Sequence, residues 1–427
     1  MTHELLQQVR LLDPLNQTDR IVDLLIDEDG LISTIAPHQE SAPHLQNYPD
    51  QTQVRDCTGL ILGPGLVDLH STVGEPGFES RETLHSIAGS AVNGGFTRVA
   101  LLPSTHPVVD RPEQVDWMLA HVPSGLPVTF HLWGAITQNL EGTKLVELAE
   151  LAAAGVCGFS DGQPLSSAML VRRVLEYLNP IMVPIALWPC DRSLATQGVI
   201  REGVQALQTG LLENPVISET SALAALLEIV ETLQTPVHIM RVSTARSVAL
   251  IDAAKARGLP ITASVTWMHL LWDSEDLRSY NVNLRLDPPL GNPEDRAALI
   301  HGLETGVVDA IAIDHTPHTY EEKTVPFAEA PSGAIGLELA LPLLWQAFVE
   351  SQRWSAVDLW QKLSTNPLQI LKQSANAITE GQAAELTLFD PQHSWQAKAS
   401  TLKSLSSNTP YLDTTVMGRV VKTWQKR

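Results

Sequence analysis

Residues 60–77 read LILGPGLVDLHSTVGEPG, an apolar run that ends in Asp68, Leu69 and His70 and passes into a loop rich in Gly and Pro. A short continuous apolar run with polar groups only at its exit is the pattern of a strand buried on both faces in a parallel sheet. Polar side chains delivered at the carboxyl end of such a strand stand where barrel enzymes place their chemistry.

Outward from this strand, strand and helix signals alternate, which suggests βα units around a parallel sheet. Further barrel strands are expected at 97–102, 127–132, 155–160, 181–187, 236–240, 260–265 and 308–313. Between them, Leu223, Leu226, Leu227, Val230 and Leu233 form an apolar stripe at helical spacing, with Ser221 as its expected cap. Ser243 or Thr244 is expected to cap the next helix, and Gly258 to end it. The two ends of the chain differ from this pattern. Asp29-Gly30 between apolar runs is a hairpin signal, and 384–390 and 416–421 have the same strand character.

The composition is ordinary for a globular chain: 427 residues, 44% hydrophobic and 18% charged. No apolar run reaches the roughly 18 residues of a membrane span, and the first residues lack the pattern of a signal peptide. The three cysteines, Cys57, Cys157 and Cys190, form no CxxC pair, which points to a reduced, cytoplasmic setting. A net charge of −20 argues against nucleic-acid backbones and anionic membranes as partners.

The ordered motifs carry a resemblance. They include Gly94-Gly95-Phe96-Thr97, Pro103-Ser104-Thr105-His106-Pro107, Phe159-Ser160-Asp161-Gly162, His238-Ile239-Met240-Arg241-Val242-Ser243-Thr244 and Asp287-Pro288-Pro289-Leu290. Ile313-Asp314-His315-Thr316-Pro317-His318 follows, then Ser332-Gly333-Ala334-Ile335-Gly336-Leu337-Glu338. With the opening stretch, they resemble the dihydroorotases of the amidohydrolase superfamily. That resemblance implies a (β/α)8 barrel of TIM type at 62–375. It also implies a small composite β-sandwich domain built from 1–61 and 376–427.

The family closes N-carbamoyl-aspartate to dihydroorotate, reversibly, with zinc lowering the pKa of a bound water to about 7. On the positions of this sequence, the resemblance implies remnant metal ligands at His70, Asp161 and Asp314, with Asp314 also the would-be general base. Thr72, Trp188 and Arg241 replace ligands. Threonine is a poor zinc ligand because its hydroxyl stays protonated, and tryptophan offers no free lone pair. Arginine brings a permanent charge to where a dication would sit. Arg241 is therefore expected to take over the electrostatic role and to pair with Asp161 or Asp314. Of the substrate contacts, His318 is kept, while Gly74, Ser104, Asp287 and Gly291 stand where the family has polar or cationic groups.

Each residue also has a plainer reading. His70 is either a ligand or a relic on a packed strand, and 314–318 either an acid–base loop or a structural rim. His238 and His269 are expected to be satisfied histidines, and Trp188, Trp267 and Trp272 to fill an emptied cavity. Cys190 lacks a histidine motif to make it a nucleophile, and 321–323 reads as a solvated or lid segment. The resemblance implies a catalytically inactive, oligomeric partner of aspartate carbamoyltransferase in pyrimidine biosynthesis, with no cofactor. Two alternatives stay open. One is an active cyclic amidohydrolase using a single zinc held by His70, Asp161 and Asp314. The other is a protein that binds a pyrimidine intermediate in the old pocket.

Overall fold

The computed structural model describes residues 3–38, 52–165, 167–375 and 377–425. The expected boundary at residue 376 lies outside them. Eight parallel strands follow one another in chain order: β1 (Leu66–Ser71), β2 (Phe96–Leu101), β3 (Thr129–Gly134), β4 (Gly158–Phe159), β5 (Ala186–Leu187), β6 (Val237–Ile239), β7 (Ile261–Thr266) and β8 (Ala310–Ala312). β1 to β4 form one four-stranded parallel sheet and β5 to β8 another. A bridge between Phe159 and Ile185 joins the two on one side. With helices outside, this is a (β/α)8 barrel.

The seam between β8 and β1 is stitched by a side chain. Asp68, fully buried, accepts the Ile313 amide at 2.8 Å and the Ser71 hydroxyl at 2.5 Å. Beyond it, the Thr72 amide donates to the His315 carbonyl at 2.8 Å. Burial pushes the Asp68 carboxyl up from its usual range.

Volume matching explains the lumen. Trp133 sits fully buried among Val67, Leu69, Met240 and the small Ala100, Ala186, Ala310 and Ala312. Its indole N–H donates to the Leu69 carbonyl at 2.9 Å, so the one polar atom of that side chain is satisfied. A larger apolar layer lies between the strands and the surrounding helices.

β4 and β5 are shorter than the sequence suggests. Gly155 adopts φ +100 as the left-handed end of helix Leu148–Ala154, and residues 179–181 form a 3-10 turn followed by Met182 at φ +61. These turns consume residues that read as strand. Ser221 does not cap a helix either: Ile217–Leu233 begins four residues earlier, and the Ser221 hydroxyl donates back to the Ile217 carbonyl. Thr244 does cap Ala245–Ala256, accepting the Ser247 amide, and Gly258 follows that helix with φ +82.

Strands from both ends of the chain share one seven-stranded mixed sheet. Ile61–Pro64 runs parallel to Glu4–Asp13 and antiparallel to Leu386–Gln396, so it lies between the two termini. Thr18–Ile26 and Ile32–Pro37 are antiparallel around the Asp29-Gly30 turn, and Thr415–Trp424 pairs with Leu386–Gln396. Leu6, Val9, Val22, Leu24, Leu386 and Leu388 make its apolar face. Among the described residues, no helix is long and apolar enough to cross a membrane.

Candidate functional site

The carboxyl ends of the barrel strands open into a cavity of about 230 Å³. Arg241 follows β6 and Asp314 follows β8. Both backbones are left-handed there, at φ +54 and +52. Non-glycine residues hold such conformations only where the surroundings enforce them. The two left-handed residues are joined by an ion pair: Arg241 Nε donates to Asp314 Oδ2 at 2.9 Å and Nη2 to Oδ1 at 2.7 Å, while Nη1 donates to the Gly162 carbonyl at 2.8 Å. His70 Nδ1 lies 3.1 Å from the same Asp314 Oδ1. Burial alone would raise the Asp314 carboxyl, but Arg241 and His70 hold it far below the usual carboxylate range.

The pair continues into an aromatic stack. The Arg241 guanidinium lies 4.7 Å from the Trp188 ring centroid, and that of Arg192 lies 4.6 Å from it. Arg192 in turn meets Asp287 at 2.8 Å. Five side chains from the ends of β5, β6 and β8 and from the loop after β7 thus form one chain of contacts across the barrel mouth.

Of the two carboxylates offered to Arg241 by the sequence, the structure uses only Asp314. Asp161 turns the other way and accepts the amides of Ile136 and Thr137, at 2.6 and 3.1 Å, and the Thr137 hydroxyl at 2.5 Å. Burial raises its carboxyl, with these donors opposing. His238 is a satisfied core histidine, between the hydroxyls of Thr262 and Ser264, and burial lowers its pKa to about 3. His269 meets the Thr266 hydroxyl at 2.7 Å, His318 meets the Ser332 carbonyl at 2.8 Å, and burial takes both to about 4. Burial also pushes the Cys190 thiol up to about 11, which leaves it protonated. Trp188 and Trp267 line the cavity, whereas Trp272 packs on Tyr411.

The segment 321–323 is solvated at Glu321 but not throughout. Lys323 is buried and donates to the carbonyls of Val282 and Pro331, and Glu322 pairs with Arg81 at the cavity wall. Arg81 and Arg192 were invisible as site residues because no motif marks them; only their place in loops after β1 and β5 hinted at it. Asn408, from a loop between the last two strands, clamps the rim. Its amide group donates to the carbonyls of Thr316 and Gly333 and accepts the His318 amide.

The donor set does not fit the zinc centre that the resemblance implies. Thr72 Oγ1 is engaged with the His315 carbonyl at 3.2 Å. Trp188 has no free lone pair, Arg241 is a cation, and both Asp161 oxygens are engaged. His70 and Asp314 remain, joined to each other. Among the described residues, no group of three or more His, Cys, Asp or Glu side chains is placed to hold a metal ion.

Gly74 and Gly291, two of the positions where the resemblance has polar or cationic groups, are sterically closed. A Cβ on Gly74 would lie 2.1 Å from the Phe78 carbonyl oxygen. One on Gly291 would lie 2.5 Å from Asp295 Cβ and 2.9 Å from the Ser243 carbonyl oxygen.

The known proteins agree with this architecture. The Dihydro-orotase-like family profile matches residues 59–247. A probable dihydroorotase-like protein of Synechocystis sp. is 42% identical over 97% of this chain and 98% of its own length. A dihydroorotase of Pelobacter propionicus is 35% identical over 98% of this chain and 97% of its own. Among solved structures, an L-hydantoinase (dihydropyrimidinase) from Arthrobacter aurescens superposes with a TM-score of 0.85 at 21% identity, covering 100% of this chain and 97% of that one. With near-complete relatives at 35 to 42% identity, the chain belongs to the dihydroorotase-like family of the amidohydrolase superfamily.

Proposed function

We propose that this dihydroorotase-like chain serves pyrimidine biosynthesis without hydrolysing dihydroorotate, as a non-catalytic partner of aspartate carbamoyltransferase. The observation that carries the first half is the two-point clamp of Arg241 on Asp314, at 2.7 and 2.9 Å. A general base works best with a pKa near the operating pH. Asp314, held far below that range by its cation, is a weak base. His269 and His318, at about 4, are neutral and nearly as weak. Asp161, which burial raises, has both oxygens engaged by the Ile136 and Thr137 amides and the Thr137 hydroxyl. Water activation by zinc lacks its ligands, as described above. The partnership follows from the resemblance to ligand-poor members of the family.

Two measurements test this. Dihydroorotate is offered to concentrated protein with and without added zinc. The expected result is no turnover above the uncatalysed rate and no stoichiometric zinc, even in Arg241→His, because Thr72 and Trp188 remain. Turnover that disappears in Asp314→Ala would sink the non-catalytic reading. In the second, aspartate carbamoyltransferase from the same cell is purified with and without this chain. Unchanged assembly and activity in its absence removes the partner role.

A further inference from the structure

A cavity that has lost its hydrolytic groups still has a shape and a charge. Five charged side chains line it: Arg81, Arg241, Asp161, Asp287 and Asp314. None is left without a counter-group. Arg81 is held by Glu322 at 2.5 to 3.1 Å and Arg241 by Asp314 at 2.7 and 2.9 Å. Asp287 is held by Arg192 at 2.8 Å, and Asp161 by two amides and a hydroxyl. Arg285 donates to the Leu286 carbonyl at 2.8 Å and does not line the cavity. The lining thus carries two cations against three carboxylates.

No cation can be recruited at Gly74, where the Phe78 carbonyl already occupies the space of a side chain. The remaining surface is neutral. It offers the hydroxyls of Thr72, Ser104, Thr266 and Thr316 beside the rings of Trp188 and Trp267. An arriving carboxylate would have to give up water to meet guanidinium groups whose charge is already offset by Glu322 and Asp314. An uncharged amide or hydroxyl would meet donors and acceptors at no such cost, with its ring against apolar walls. The volume of about 230 Å³ suits a molecule about one ring in size.

We infer that the cavity binds an uncharged, single-ring, hydrogen-bonding molecule and rejects the same ring bearing a carboxylate. This rests on the reading that the site no longer turns over dihydroorotate, and the two can fail separately.

Dihydrouracil and dihydroorotate form a matched pair, differing only in the carboxylate. Their affinities for the full chain are measured by ligand-observed NMR and calorimetry at neutral pH, with product assayed in the same samples. The expected result is dihydrouracil bound at least ~10-fold more tightly, about 1.4 kcal/mol, with no product. Ser104→Trp, which fills the cavity, is expected to abolish that binding. Equal or tighter binding of dihydroorotate overturns the inference, and so does absence of dihydrouracil binding. Persistence of binding in a folded Ser104→Trp protein also overturns it, by placing the ligand elsewhere. Should that variant not fold, the affinity ratio in the unaltered chain still decides. Product formation would instead refute the non-catalytic reading.

Discussion

Replacing Arg241 by methionine keeps much of the side-chain volume and removes the guanidinium. Three hydrogen bonds go with it, two to Asp314 and one to the Gly162 carbonyl, and so does the contact with the Trp188 ring. Among the described residues, the Asp314 carboxylate, its side chain 16% exposed, is then left with His70 as its partner. Breaking one side of a buried ion pair costs about 3–5 kcal/mol, because the orphaned charge stays desolvated. For a chain of this length the unfolding entropy is on the order of 0.9 kcal/mol/K. The expected loss is therefore ~3–6 °C in Tm if the chain unfolds as one unit, read by calorimetry at pH 7. Most of that cost is the stranded carboxylate rather than the lost contact. Adding Asp314→Asn should recover about half, with a coupling energy of ~2 kcal/mol in the double-mutant cycle. A shift below about 1 °C in Arg241→Met, or no recovery in the double variant, would refute the idea that this pair replaces a buried dication.

Acid should weaken the fold well before Asp314 titrates. Burial lowers His131, His269 and His318 to about 4 and His238 to about 3. Unfolding releases each to about 6.5, so their stability is fully present above that pH and is lost as pH falls towards the folded values. Each contributes up to about 1.4 kcal/mol per pH unit in that window. Urea titrations at pH 7, 6 and 5 should show a steepening fall, and equal midpoints at all three would contradict it. Gly74→Ala should lower stability by about 1–3 kcal/mol through overpacking against the Phe78 carbonyl. Denaturant midpoints read this, and an unchanged value would mean that the loop yields freely.

Much of the barrel was legible because its strands are buried on both faces and so read as apolar runs. β1, β2, β6, β7 and β8 fall within a few residues of their expected places. β4 and β5 were overextended because left-handed turns at Gly155 and Met182 leave no mark in an apolar pattern. In the site, the need of a buried Asp314 for a cation made Arg241 its natural partner. Asp161 was harder to place. Its captors, the amides of Ile136 and Thr137, belong to the loop after β3, and backbone donors are the same in every sequence. Arg192 escaped notice for a related reason: its contacts with Trp188 and Asp287 exist only once the loops after β5 and β7 have met.

The strand Ile61–Pro64 has a consequence for how the molecule is made. It is hydrogen-bonded to Leu386–Gln396, more than 300 residues further along the chain. A ribosome delivers every barrel strand before that companion emerges. Through most of synthesis, then, the first hairpins wait with one flank bare, and the open edge is a standing invitation to mispairing. Asn408 comes later still, so the rim of the pocket acquires its clamp only in the closing moments of assembly.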